Sequence, residues 1–271
     1  MLKQKKFAVL GAGKLGETLI RGLLDAGVVK AADITVTAAH PQRIAQLRES
    51  LGVAGTLSNA EAVKGADIVI LSVKPQTVPV VLGDLREVLE PTQLLISVAA
   101  SVSTTFIEKH LARPVPVVRA MPNTPALVRK GMTGLAAGKN AAPAHLDQAL
   151  GIFSSVGRTV IVDEKHMDAV TALSASGPAF IYIVIESLAE AGVKVGLPRD
   201  VATELAAQTV LGAGAMVLET GEHPAKLKDL VTTPAGCTID GILELEEGGL
   251  RVTLIKAVVR ATQRAKELLE S

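Results

Sequence analysis

Tryptophan is absent from the 271 residues, and aromatic side chains make up only 2% of them. Ring platforms on which bases could stack are therefore excluded, and with them RNA or single-strand recognition of that kind. Charge of one sign is equally scarce, since 28 basic and 27 acidic residues leave a net charge of +1. That balance supplies no electrostatic footprint for DNA or for an anionic membrane, so neither partner is expected. The lone cysteine, Cys237, cannot form an intrachain disulfide, which fits a reducing, cytoplasmic setting. Long apolar runs are also missing. One of the two longest uncharged stretches, Ala169 to Ile185, covers 17 residues and is broken by Gly177-Pro178, short of the ~20 that a membrane span needs. The opening MLKQKKFAVLGAG starts basic and turns apolar, but its apolar run is too short for a signal peptide and passes into a Gly-rich turn. The histidines at 40, 110, 145, 166 and 223 show no metal-ligand spacing, and no metal site is predicted.

What the chain does contain is 48% hydrophobic residues, so its core must be built from Ala, Val, Leu and Ile. Its length suits two domains. The first half alternates β-rich runs with helical ones. FAVLG (7–11), ITVTA (34–38), DIVILSV (67–73), LLISVAA (94–100) and VPVVRAM (115–121) read as strands, with helical patterns at 16–27 and 41–52. Continuously apolar strands such as DIVIL are those covered by helices on both faces. This βαβ order predicts a Rossmann-type, doubly wound, mostly parallel sheet over residues 1–164. Two further strands, at 132–138 and 158–164, extend it. From 165 to 271 the strand signal stops, and residues 165–190, 199–220 and 239–270 read as helix. Leu205 to Leu218 carries no charge. A helix apolar all round must be buried on every side, and a small helical domain has little room to do that alone, so cover by a second subunit is expected, with a single tight bundle as the alternative.

GAGKLG (11–16) directly follows a predicted strand and opens a helix. Gly11 permits the tight turn, Gly13 admits a pyrophosphate to the backbone, and Gly16 lets helix and strand pack closely. The helix N-terminus supplies N–H groups and a positive dipole end. A dinucleotide is the expected ligand. The second strand ends Thr37-Ala38-Ala39-His40, without the carboxylate that commonly binds ribose hydroxyls in NAD sites. NADP is therefore allowed, with His40 or Arg43 available to neutralise a 2′-phosphate. Lys74-Pro75-Gln76 and Ala99-Ala100 fall at carboxyl ends of strands, where ligands bind in such sheets, and Asn123-Thr124 offers a polar brace near the nicotinamide.

The second half carries more specific motifs. LSASGPAFIY (173–182), AGVKVGLPR (191–199), AAQTVLGAGAMVLETGEHPAKLKD (206–229) and VTTPAGCTIDGILELEEGGLR (231–251) occur in that order. Together with GAGKLG, SVKPQ and MPNTP, they make essentially the whole chain resemble the pyrroline-5-carboxylate reductases. The resemblance implies hydride transfer from NAD(P)H to C5 of 1-pyrroline-5-carboxylate, giving L-proline, the final step of proline biosynthesis. It also implies a Rossmann domain followed by an all-α dimerisation domain, with dimers often assembled into a decamer. By position it places nucleotide contacts at Gly11, Ala12, Gly13, Lys14 and Leu15, at Asn59, at Val73 through Gln76, and at Ala99 and Ala100. It places the product-binding loop at Thr233, Gly236, Cys237 and Thr238.

Several positions depart from the family pattern. Ala39-His40 stands where many members have a serine pair, Ala235-Gly236 replaces the common Gly-Gly, and Gly221 occupies the position of a substrate-binding glutamate. Small residues at a helix start can present N–H groups to a carboxylate, and the Thr238 hydroxyl can bond the ring nitrogen. Thr238 is thus the candidate catalytic residue. A β-hydroxyacid or 6-phosphogluconate-type dehydrogenase shares the plan, but SGPAFIYIVIE (176–186) lacks the lysine those enzymes use. A non-catalytic dinucleotide sensor would keep GAGKLG without needing the 233–238 loop.

Overall fold

The computed structural model describes Leu2 and residues 4–270, with side chains through residue 267. Among these residues, eight strands form one sheet: β1 (Phe7–Leu10), β2 (Ile34–Thr37), β3 (Ala54–Thr56), β4 (Ile68–Leu71), β5 (Leu94–Ser97), β6 (Val117–Met121), β7 (Gly131–Ala137) and β8 (Gly157–Ile161). Their spatial order is β3-β2-β1-β4-β5-β6-β7-β8. Every neighbouring pair is parallel except β6 and β7. The chain winds outward in both directions from β1 and β4, which makes their carboxyl ends the switch point where α/β sheets bind ligands.

Alternation along each strand feeds two cores. Phe7 and Val9 of β1 join Ile70, Ile96 and Phe153 on one face, while Ala8 and Leu10 join Val69, Leu82 and Leu95 on the other. The helices α1 (Lys14–Asp25), α2 (Pro41–Leu51), α3 (Asn59–Ala62), α4 (Val78–Leu85), α5 (Thr104–His110) and α6 (Pro143–Phe153) connect the strands. Ser58 and Ser103 cap α3 and α5 by accepting the N–H groups of Glu61 and Phe106, satisfying donors that a helix start leaves open. The three-residue β3 has no counterpart in the sequence reading, because AGT is small and partly exposed and carries no apolar alternation.

By compactness the chain divides into one unit of residues 1–176 with 261–271, and a second of Gly177–Arg260. The sheet unit thus runs past Glu164, and the reason is polar as much as apolar. Arg119, 2% exposed on β6, lies 3.7 Å from Glu164 and 3.3 Å from Asp168. Glu164 also accepts the Thr104 N–H at 2.7 Å and the Thr104 hydroxyl. Met167, in α7 (Met167–Val170), is fully buried. A single π turn, Thr171–Ala175, follows.

The second unit is helical. It contains α8 (Gly177–Lys194), α9 (Arg199–Thr220), α10 (Pro224–Leu230), α11 (Cys237–Glu247) and the start of α12 (Leu250–Glu270). The long helical reading of 239–270 is therefore two helices, separated at Gly248-Gly249, the latter with φ of 68°. Helices α8 and α9 pack through Ala189, Ala202 and Ala206. A Cβ on Gly192 would come within 2.9 Å of the Ala202 Cβ, so the hairpin depends on small residues. The helical segments Glu164–Lys194 and Arg199–Thr220 are long and apolar enough to cross a bilayer by length and composition alone. The uncharged stretch 169–185 did not indicate this, because hydropathy summed along a helix tolerates an isolated charge.

Candidate functional site

The Gly-rich turn forms as its spacing requires. Gly11 has φ of +77°, and a Cβ there would lie 2.4 Å from Val73 Cγ1, so both the turn and the approach of β1 to β4 need glycine. Gly13 has no heavy atom closer than 4.0 Å to such a Cβ, leaving the space above the loop open. Helix α1 begins at Lys14, and its first N–H groups have no intrahelical acceptor. The turn is tied to β2: Ala12 N–H donates to Thr37 O at 2.8 Å and Gly11 N–H to Thr37 Oγ1 at 3.1 Å. Thr37 Oγ1 donates in turn to Asn59 Oδ1 at 2.8 Å, and Asn59 Nδ2 donates to Asp84 at 3.0 Å.

Above this turn lies a cleft of about 1020 Å³. It gathers Gly11, Ala12, Gly13 and Lys14 from the glycine turn and the start of α1, His40 and Arg43 from the N-cap and first turn of α2, and Asn59, Val73 and Lys74 beyond. These nine predicted nucleotide residues, distant in sequence, come together. Leu15, Pro75, Gln76, Ala99 and Ala100 do not line it. Leu15 packs against the apolar core, Pro75 and Gln76 lie in a short 3₁₀ segment, and Ala99 is buried in the opposite core. A position at a strand's carboxyl end therefore does not by itself put a side chain in the cleft.

The cleft also contains residues that the sequence reading passed over. Thr37 is the last residue of β2, and its place at a carboxyl edge was a usable signal. Leu57, 58% exposed, offers an apolar face in the cleft suited to a flat base. Glu17 had no signal, since an acid in the first turn of a helix is ordinary. Here it binds Arg43, whose Nη2 donates to Glu17 at 2.5 Å. Arg43 Nε also donates to Ala12 O at 3.0 Å and Nη2 to Gly13 O at 3.3 Å. The Arg43 hydrogen bond foremost, reinforced by Arg21, holds the Glu17 carboxyl below the usual carboxylate range despite partial burial. Asn123, expected as a brace for a ring, instead braces the protein. It accepts the Met132 N–H at 2.9 Å and donates to Ser174 O at 3.1 Å.

In the helical unit the 232–236 segment forms a tight turn before α11. Ala235 adopts φ of 57°, and Gly236 N–H donates to Thr233 O at 3.1 Å. The Gly236 amide thus closes the turn in this structure. Gly236 is small for a steric reason, since a Cβ would meet Thr233 Oγ1 at 2.4 Å. Gly236 is the N-cap and Cys237 the first residue of α11, so Thr238 is not a capping hydroxyl. The N–H groups of Cys237 and Thr238 fall in the helix's first turn, where no intrahelical acceptor exists. The half-buried Thr238 hydroxyl has no hydrogen-bond partner among the described residues. Cys237 is exposed.

A doubly wound sheet with a glycine turn, a free helix start and a cleft at the switch point defines a dinucleotide-binding domain of the oxidoreductase type. Consistent with that class, residues 6–101 match a family model described as NADP oxidoreductase, coenzyme F420-dependent. Residues 164–268 match the model for pyrroline-5-carboxylate reductase dimerisation. The pyrroline-5-carboxylate reductase of Methanosarcina acetivorans is 47% identical over 267 residues, covering 98% of this chain and 99% of that one. Among solved structures, a pyrroline-5-carboxylate reductase from Coxiella burnetii superimposes with a TM-score of 0.92 at 38% identity, covering 97% of this chain and 98% of that one. The Plasmodium falciparum pyrroline carboxylate reductase with NADP bound does so with a TM-score of 0.89 at 30% identity, covering 99% and 100%. The chain belongs to the pyrroline-5-carboxylate reductase family.

Proposed function

We propose that the chain reduces 1-pyrroline-5-carboxylate to L-proline, the final step of proline biosynthesis, with NADPH preferred and NADH accepted. The observation that carries this reading is the pairing, in one chain of this family, of the dinucleotide cleft with an uncommitted Thr238 hydroxyl at the start of α11. Bound NADPH supplies the hydride for C5 of the imine. The first-turn N–H groups of α1 and Lys14 hold the pyrophosphate, and Leu57 lies against the base. Arg43 and His40 face a 2′-phosphate, with no carboxylate at the end of β2 to repel it. At the loop, the Cys237 and Thr238 N–H groups hold the substrate carboxylate, while Thr233 and Gly236 shape the turn around it. The Thr238 hydroxyl bonds the ring nitrogen, which gains a proton from solvent as C5 takes the hydride, and so fixes the face that the imine presents. No strong base is needed, because orientation supplies most of the acceleration.

On this reading residues 1–164 bind the nucleotide, and residues 165–271 bind substrate and dimerise in a cytoplasmic enzyme. Leu205, Leu211, Met216 and Leu218 of α9 are 48–58% exposed in the single chain, and a second copy of the chain covers them. Those dimers are the building block for a decamer. Glu186 and Glu190 within α8 and Glu204 within α9 argue for protein rather than lipid as the cover. The decisive experiment mixes purified protein with 1-pyrroline-5-carboxylate and either NADPH or NADH. Proline formation with faster NADPH oxidation is expected, and no turnover with either nucleotide overturns the proposal. Light scattering should give at least a dimer without detergent, and a stable monomer would remove the subunit-cover argument.

A further inference from the structure

Among the residues lining the cleft, Lys14, Arg43 and Lys74 are cationic and Glu17 is the acid. That acid is not near the end of β2, where a carboxylate ordinarily binds the ribose hydroxyls. It reaches the same region from α1, by way of Arg43. The Arg43 guanidinium lies back on the glycine turn, with Nε on Ala12 O and Nη2 shared between Gly13 O and Glu17. Only Nη1 has no hydrogen bond within the described residues. Glu17 Oε1 meanwhile accepts from Arg21 Nε and Nη2 at 2.9 and 2.7 Å, so the carboxylate is anchored from its other side as well.

We propose that Glu17 is a specificity-determining residue, which restrains Arg43 and thereby weakens discrimination in favour of nucleotides bearing a 2′-phosphate. This inference rests on the cleft being the NAD(P)H site. A phosphate approaching Arg43 meets a guanidinium whose charge is already offset by a carboxylate 2.5 Å away. Two of its three nitrogens are also turned to the protein. A 2′-hydroxyl is neutral and loses little from that offset. Arg43 therefore helps a 2′-phosphate less than a free arginine would, which leaves the unphosphorylated nucleotide admissible. The ordinary alternative is an ion pair that merely fastens α2 to the glycine turn; it predicts a change in stability with no change in nucleotide discrimination.

The test measures dissociation constants of 2′,5′-ADP and 5′-ADP, and of NADP+ and NAD+, by calorimetry on the full-length protein. Glu17→Gln keeps an acceptor for Arg43 and removes the charge, while Glu17→Ser removes it with a different side chain, so misfolding of one variant does not decide the outcome. Removing one charge at this distance should raise the 2′-phosphate preference about five- to tenfold, on the scale of a partly screened Coulomb interaction. In an Arg43→Gln background the rise should be clearly smaller, because the two residues act as a coupled pair. A preference that stays the same or falls in both Glu17 variants overturns the inference. So does an equal rise with and without Arg43. Wild-type protein that binds none of the four probes would instead remove the cofactor reading itself.

Discussion

Thr37 and Asn59 share one hydrogen bond, Thr37 Oγ1 to Asn59 Oδ1 at 2.8 Å, and through it the end of β2 fixes the glycine turn. The same hydroxyl oxygen accepts the Gly11 N–H at 3.1 Å. Thr37→Val keeps the shape and removes both interactions, leaving an amide at the turn without its acceptor. The expected loss is about 1–3 kcal/mol, read as a lower melting temperature and weaker NADPH binding. Thr37→Ser should restore most of both.

Thr238→Ala should separate the two ends of the reaction. If the hydroxyl bonds the ring nitrogen, its removal lowers kcat/KM by about 3- to 10-fold, the value of a hydrogen bond to a neutral group. NADPH affinity, measured in the absence of substrate, should stay within error of wild type. Unchanged kcat/KM would take Thr238 out of the mechanism.

Ala235 sits at φ of 57°, a conformation that costs a residue with a Cβ roughly 1–2 kcal/mol. Glycine there relieves the strain but adds freedom to the unfolded chain, which offsets part of the gain. Ala235→Gly should therefore leave the melting temperature equal or slightly higher and the activity intact. Ala235→Val, with a branched Cβ, should lower both.

Arg119 is buried between Glu164 and Asp168, and its Nε has no partner among the described residues. Cutting it to alanine would leave two part-buried carboxylates facing each other. A loss of about 3–5 kcal/mol is expected, visible in denaturant unfolding. Arg119→Met, which keeps much of the volume, should be nearly as costly, because the loss of the cation shared by Asp168 and Glu164 rather than a cavity dominates.

Asp67 should make stability depend on acid. Burial raises its pKa, but hydrogen bonds from Lys5 Nζ and the Lys6 N–H outweigh that and set it below the ordinary 3.8. A depressed folded pKa contributes stability that is present above the unfolded value and lost as pH falls through the folded one. The pair is about one-third exposed, so screening limits the effect to about 1 kcal/mol or less. Asp67→Asn should melt lower than wild type at neutral pH, and the gap should close below about pH 3.8. A gap that widens in acid would contradict the assignment.

The local elements with strong periodicity were legible without coordinates. FAVL, IVIL and LLIS are short, continuously apolar runs, and each becomes a strand buried on both faces. GAGKLG placed its turn and helix because it directly follows an apolar strand run and opens a helical pattern. The three-residue β3 stayed hidden, as did the break between α11 and α12, since a short or interrupted element leaves little periodic trace.

By itself the sequence determined the doubly wound sheet, the glycine turn and the helical second half, because these follow from hydrophobic period and glycine placement along the chain. It also carried the 231–251 motif on which the family resemblance rests. Tertiary structure alone decided which side chains the cleft contains. It brought in Thr37, Leu57 and Glu17, excluded Ala99 and Gln76, and committed the Gly236 amide to its own turn. The physical reason is that direction and hydrogen-bond occupancy depend on neighbours far away in sequence. Arg43 shows this most plainly: as a residue it is a free cation, and in the fold it is half spent on Glu17 and two carbonyls of the glycine turn.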